Sequence, residues 1–173
     1  MGYRFSPTFF QRGQTWQECL ASWQHDRRYF LTLVSESRPL PQLAVALARA
    51  PRAGRVAVYY DPLVSDVRKL LPALGLTLQA AEHLQVRFFD ARIYFPELYP
   101  VFGRAKPTLA FLKDDGSLAE TWGPRPAAVT EQLPAQDEDP LGRAAWLMTY
   151  DQDCYRQLAE TELLQCVGRW ISR

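Results

Sequence analysis

Cysteine thiols are the side chains in this chain with the most obvious potential for chemistry. Cys19, Cys154 and Cys166 form no CxxC pair, and an odd count leaves at least one thiol unpaired in any monomeric disulfide scheme. Cys154 and Cys166 are twelve residues apart in one predicted helix. This spacing separates them by ~18 Å, well beyond the ~6 Å between the Cα atoms of a disulfide. We therefore expect three free thiols, with Cys19 and Cys166 in the interior and Cys154 near the edge.

Carboxylate and hydroxyl groups cluster at one predicted strand-to-helix turn, where Asp61, Ser65 and Asp66 lie close together in the sequence. They are candidates for a polar recognition site or, alternatively, for capping the helix, because such side chains satisfy free N–H groups at a helix start. His25 and His83 have no neighbours at metal-ligand spacing. The sequence also lacks a glycine-rich phosphate loop, G-x-S-x-G and HExxH. We expect no metal and no cofactor.

Length and charge exclude several classes of protein. The 173 residues carry 20 Lys+Arg against 19 Asp+Glu, a formal charge of +1, and 47% of them are hydrophobic. This composition favours a single folded domain and disfavours nucleic acid or an anionic membrane surface as partner. No window approaches the ~18 apolar residues of a membrane span, and the first ten residues contain no apolar run of signal-peptide length. We expect a cytoplasmic protein.

Hydrophobic periodicity and turn residues predict the elements that position these groups. A capping-box pattern from Thr15 to Glu18 predicts the start of the first helix. Further helices are predicted at 40–50, 63–74, 93–102 and 127–133, and again after a polar loop at 134–140. Strands are predicted at 55–60, 84–89, 108–113 and 118–122. Pro72 should kink or end its helix. This order predicts an α/β protein with a mixed sheet covered by helices.

Several motifs in this order resemble the thioredoxin family. Lys106-Pro107-Thr108 precedes a strand-turn-strand hairpin, as the cis-proline of a thioredoxin fold does. The segment 121–126 resembles the "WGPRP" signature of a bacterial branch of that family. The segments 15–20 and 103–107 resemble its "TYEEYL" and "G-x-R-S-I-P" motifs, and Trp146, Tyr150 and Glu162 resemble its C-terminal "WY…E".

The resemblance covers roughly residues 14–165 and implies a single thioredoxin-like domain over 1–173. Its core would lie at about 54–133, with N-terminal helices at 14–50 and C-terminal helices at 140–171. Members of the branch typically begin the first sheet-covering helix with "WCGD" followed by Cys, Ser or Ala.

The redox motif of that branch is replaced in this sequence. When Leu71-Pro72 is matched to the "LP" of the branch, the motif falls on Val64, Ser65, Asp66 and Val67, and Leu63 stands in place of Trp. Both cysteine positions are therefore valine. Thiol–disulfide exchange requires a thiolate nucleophile and usually a second thiol to resolve the mixed disulfide. Valine supplies neither, so the resemblance implies a redox-inactive protein.

The remaining groups at this site are expected to bind rather than to react. Lys106 replaces an apolar residue of the branch, so it either alters partner choice or is merely solvated. Trp122 and Arg125 are expected to stack and to fix the hairpin. The residues assigned to binding are Asp61, Leu63, Lys106, Pro107, Trp122 and Arg125.

We expect a module that binds a protein or peptide or serves as a scaffold, with a second copy of the chain as a further candidate partner. The alternative is a thiol-dependent oxidoreductase or transferase that uses one relocated cysteine. A structural subunit of a larger complex is a third hypothesis.

Overall fold

The computed structural model describes residues 3–131 and 152–172 and contains a four-stranded mixed sheet. Its strands are β1 (Arg55–Tyr60), β2 (Gln85–Asp90), β3 (Thr108–Leu112) and β4 (Leu118–Trp122), in the spatial order β2-β1-β3-β4. The central strand β1 pairs in parallel with β2 and antiparallel with β3, and β3 pairs antiparallel with β4. The predicted strands agree with these to within one residue, so the α/β class with a mixed sheet is confirmed.

Helices cover both faces of this sheet. They are α1 (Pro7–Gln11), α2 (Trp16–Ser22), α3 (Arg27–Glu36), α4 (Pro41–Leu47), α5 (Ser65–Ala80), α6 (Ala91–Phe102), α7 (Ala127–Glu131) and α8 (Gln152–Ile171). The Thr15–Glu18 capping box is present as predicted. Neither α1 nor α3 was expected. Of the two alternatives for Pro72, a kink or an end of the helix, the second is wrong, because α5 continues to Ala80. Its neighbours Leu70, Leu71 and Leu74 are fully buried, and this packing holds the helix despite one missing hydrogen bond.

The sheet separates two hydrophobic cores, and the alternation along β1 explains why. Val56, Val58 and Tyr60 face the core formed with α2 to α5 and α8, while Ala57 and Tyr59 face a second core formed with α1 and α6. This two-residue alternation is that of a strand buried on both sides. No helix in the described part of the chain has the length and apolar character of a membrane span.

Some predictions concern residues that the structure does not describe. The predicted loop at 134–140, the last two residues of the predicted 127–133 helix, and Trp146 and Tyr150 lie outside the described residues.

Candidate functional site

The candidate site lies at the edge of the sheet where β1 ends and β3 begins. Tyr59 pairs with Thr108 across these two strands, so the turn 61–64 and the segment Lys106-Pro107 meet at this edge. The peptide bond between Lys106 and Pro107 is cis. We call the turn 61–64, the first turn of α5 and Lys106-Pro107 the β1–α5 edge.

The first turn of α5 contains two valines where the resemblance expects cysteines. Val64 is the N-cap residue, with no side-chain hydrogen bond to the helix, and Val67 is the third helical residue and fully buried. Leu63, just before the N-cap, is 57% exposed. The helix therefore presents an apolar start to solvent.

The predicted capping role of the polar cluster is not what the structure shows. Asp61 accepts a hydrogen bond from the backbone N–H of Leu63, at 3.0 Å, which stabilises the turn and not the helix. Ser65 is the exposed first residue of α5. Asp66 is buried and turned toward Arg125 instead.

Asp66 and Arg125 form a buried ion pair beneath the start of α5. The guanidinium Nη2 of Arg125 donates to Asp66 Oδ2 at 2.6 Å. The other carboxylate oxygen of Asp66 has no hydrogen-bond partner, and neither has the buried hydroxyl of Tyr155 on α8. Burial, followed by the charge of Asp66, raises the pKa of the Tyr155 phenol above its ordinary value. Three separate segments of the chain thus converge on one carboxylate.

The segment after β4 is held against Pro107 and against α8. Gly123 has a φ of +128°, and a Cβ atom there would lie 2.1 Å from the carbonyl oxygen of Pro107, so only glycine fits. The indole Nε1 of Trp122 donates to Glu162 at 2.8 Å, and the N–H of Ala127 donates to the same carboxylate at 2.6 Å. The expected stack of Trp122 on Arg125 is thus replaced by two separate carboxylate partners, Glu162 and Asp66.

Lys106 is engaged with its neighbours, so the solvated alternative is wrong. Its side chain is only 12% exposed, and its Nζ lies 3.6 Å from Asp61 Oδ2 and 5.6 Å from the centre of the Tyr59 ring. The lysine therefore ties the segment before β3 to the turn after β1. Its charge is offset by Asp61 and by the face of the ring.

A groove of about 350 Å³ lies between α3 and the first turns of α5. It is lined by Tyr29, Leu33, Ser65, Arg68 and Lys69. Sequence reasoning missed Tyr29 and Leu33 because α3 was not predicted. It named Glu162 through the resemblance to the C-terminal "WY…E" motif, but the hydrogen bonds of Glu162 with Trp122 and Ala127 were not predicted.

None of the three cysteines forms a disulfide, and each lies where the sequence predicted. Cys19 and Cys166 are buried, and Cys154 on α8 is exposed. Burial raises the pKa of Cys19 to about 12, and burial also raises the pKa of Cys166. The buried thiols are therefore protonated near neutral pH. In the described part of the chain no group of three or more His, Cys, Asp or Glu residues could hold a metal ion.

Comparison with known proteins identifies similar folds but no family. No family model matches the chain, and no curated protein is similar to it. One similar solved structure is an HIV epitope scaffold, with 20% identity and a TM-score of 0.53. Another is a protein of unknown function from Pseudomonas aeruginosa, with 21% identity and a TM-score of 0.52. Each alignment covers 97% of this chain and 93% of the other. At these identities the similarity concerns the fold alone.

Proposed function

We propose that this protein is a redox-inactive member of the thioredoxin family, of its WCGD/WGPRP branch, and that it binds a protein or peptide at the β1–α5 edge. One observation carries the proposal. Val64 and Val67 occupy the N-cap and third positions of α5, at the edge where Lys106-Pro107 approaches. A helix N-terminus lowers the pKa of a thiol placed there, but it has nothing to activate in a valine.

The surroundings of the valines favour binding over chemistry. Leu63 is exposed and Val64 is half-buried, and a groove is lined by Ser65, the next residue of the chain. An exposed apolar patch of this kind is typical of an interaction site. A partner that buries Leu63 would gain about 1–2 kcal/mol from that side chain alone.

The polar residues that match the branch motifs support a structural role. Asp66 matches the Asp of "WCGD" and Arg125 the Arg of "WGPRP", and the two form the buried ion pair. Gly123 of the same motif lies against Pro107. These contacts hold the shape of the edge without needing a thiol, which is consistent with a scaffold that has lost its redox function.

One exposed thiol favours the alternative function. Cys154 is accessible on α8, so a thiol-dependent oxidoreductase or transferase would have to use it. Cys19 and Cys166 are unsuited to that role, because burial keeps both protonated. Thiol-dependent turnover that disappears in Cys154→Ser would favour the enzyme and contradict the binding module.

A comparison of two exposed-site variants tests the binding proposal. Leu63→Ser removes the apolar contact at the β1–α5 edge, and Val45→Ser makes the same kind of change at the exposed Val45 of α4. Tagged wild-type protein and Val45→Ser should retain the same partner from the native cell extract, and Leu63→Ser should lose it. Equal retention by all three proteins would show that the edge is not the binding site.

A further inference from the structure

A cavity of about 660 Å³ opens between the end of α3, the start of α4 and α8. Its volume lies in the range of pockets that hold small molecules, about 300–1,000 Å³. Charged and polar side chains from all three helices line it, together with Leu40 and Pro41. None of its lining residues belongs to the β1–α5 edge.

Glu160 on α8 is the one buried charged residue of this lining, with only 7% of its surface exposed. Its Oε1 accepts hydrogen bonds from the backbone N–H groups of Gln42, at 2.8 Å, and Leu43, at 2.9 Å. Its Oε2 forms no hydrogen bond with any described residue, and it is not enclosed by protein atoms. A buried carboxylate is costly unless its charge is paired or hydrogen-bonded. One oxygen of this buried charge is therefore open to a donor in the cavity.

Arg156 lies one turn before Glu160 on α8, but it does not neutralise that carboxylate. Its Nε donates to the carbonyl oxygen of Lys69 at 3.0 Å, and its Nη2 donates to Oγ of Ser37 at 2.7 Å. Glu160 forms no ion pair with any residue of the described ranges 3–131 and 152–172. An ammonium group in the cavity would supply the missing counter-ion and would donate to Oε2.

Two charged residues of opposite sign lie at the opening of the cavity. Glu36 is the last residue of α3, Arg38 follows two positions later, and both are exposed. Neither forms an ion pair within the part of the chain that the structure describes. The apolar Leu40 and Pro41 continue the lining toward α4. The cavity thus offers an acid and a base at its opening, an apolar wall, and one buried acid.

We propose that this cavity binds a free amino acid with an ammonium side chain, L-lysine or L-ornithine. The side-chain ammonium would donate to Oε2 of Glu160, and the methylene groups would pack against Leu40 and Pro41. The α-carboxylate would pair with Arg38 and the α-ammonium with Glu36. An ammonium suits the site better than a guanidinium, because a guanidinium binds a carboxylate through both oxygens and Oε1 is already occupied. The proposal does not depend on binding at the β1–α5 edge.

Three ligands that differ by one charged group test the proposal. L-norleucine is L-lysine without the side-chain ammonium, and cadaverine is L-lysine without the α-carboxylate. Each is titrated at pH 7 and constant ionic strength into the ¹⁵N-labelled full chain and followed by NMR. L-lysine should shift resonances within 36–42 and 156–161 with a Kd of about 1 mM or lower. Both analogues should bind at least about tenfold more weakly.

Charge-removing variants assign the two ends of the ligand. Glu160→Gln keeps an oxygen that can accept from Gln42 and Leu43 but removes the charge, so it should bind L-lysine no more tightly than L-norleucine. Arg38→Ala should reduce the affinity for L-lysine to that for cadaverine. Arg49→Ala removes another exposed arginine, which does not line the cavity, and should leave the affinity unchanged. Because Arg38 is exposed, its variant decides the question even if Glu160→Gln does not fold.

Several outcomes would overturn the proposal. These are equal affinities for L-lysine and L-norleucine, shifts confined to residues outside the cavity, and a Kd for L-lysine above about 1 mM. Nα-acetyl-L-lysine amide has the same side chain but neither α-charge. If it binds as tightly as L-lysine, the cavity recognises a lysine side chain of a protein and not a free amino acid, and the proposal is overturned as well.

Discussion

Removal of Arg125 should destabilise the protein far more than removal of an exposed arginine. The side chain of Asp66 is 2% exposed and that of Arg125 is 17% exposed. Arg125→Met would leave the carboxylate of Asp66 buried without its counter-ion, and one oxygen of that carboxylate already has no hydrogen-bond partner. Removing one member of a buried pair costs about 3–5 kcal/mol. Since Arg125 is not fully buried, we expect the lower end, about 3 kcal/mol of unfolding free energy.

Two further variants separate burial from the mere loss of an ion pair. Arg4 and Asp115 are paired at 2.8 Å with side chains 63% and 49% exposed, so Arg4→Met should cost less than about 1 kcal/mol. Asp66→Asn should cost about 1–2 kcal/mol of unfolding free energy, because the amide oxygen can still accept a hydrogen bond from Arg125. Urea unfolding at pH 7 measures all three. If Arg125→Met lies within about 1 kcal/mol of Arg4→Met, the reasoning is refuted.

Two other predictions concern the thiols and the glycines. The pKa of Cys19 is raised to about 12, so only about one Cys19 thiol in 10⁴ is ionised at pH 8. A thiol reagent should therefore modify Cys154 rapidly in the native state, and it should modify Cys19 only after unfolding. A fast phase that survives in Cys154→Ser would contradict this. A Cβ at Gly75 would lie 2.4 Å from the buried ring of Trp16, so Gly75→Ala should cost about 1–3 kcal/mol. A Cβ at Gly168 on α8 meets open space, so Gly168→Ala should stabilise the protein by about 0.5–1 kcal/mol. If the urea midpoints of Gly75→Ala and Gly168→Ala move in the same direction, the packing argument is contradicted.

The strands and most helices could be predicted because their signals are local. Runs of β-branched and aromatic residues define β1 to β4, and turn residues separate them. The short helix α1 also had a local signal, since Ser6 caps it and Pro7 occupies its first position. By contrast, α3 has only a weak local signal in the sequence. Its N-cap residue is Asp26, whose side chain does not cap it, and Phe30 is its one buried residue. The helix is held by the stack of Phe30 on Trp23, at 3.6 Å, which is a tertiary contact.

The candidate site was predictable as a set of positions but not as a set of contacts. The spacing to Leu71-Pro72 put Val64 and Val67 at the start of a helix, and α5 does begin there. The partner of Asp66 is 59 positions away in the sequence, on a loop whose path depends on the whole hairpin. Lys106 likewise meets Asp61 only because β1 and β3 are neighbours. One sequence indicates which face a residue occupies, but it does not indicate which residue lies opposite.

Disulfide reduction by a restored site tests the central claim most directly. Val64→Cys/Val67→Cys places thiols at the N-cap and third positions of α5, where the free N–H groups and the helix dipole lower the pKa of a thiol. With dithiothreitol as reductant and insulin as substrate, wild-type protein should not exceed the rate without protein. The double variant should exceed it, and Val67→Cys alone should not. Turnover by the wild-type protein, or a folded double variant without turnover, would contradict the account of a redox site that lost only its cysteines.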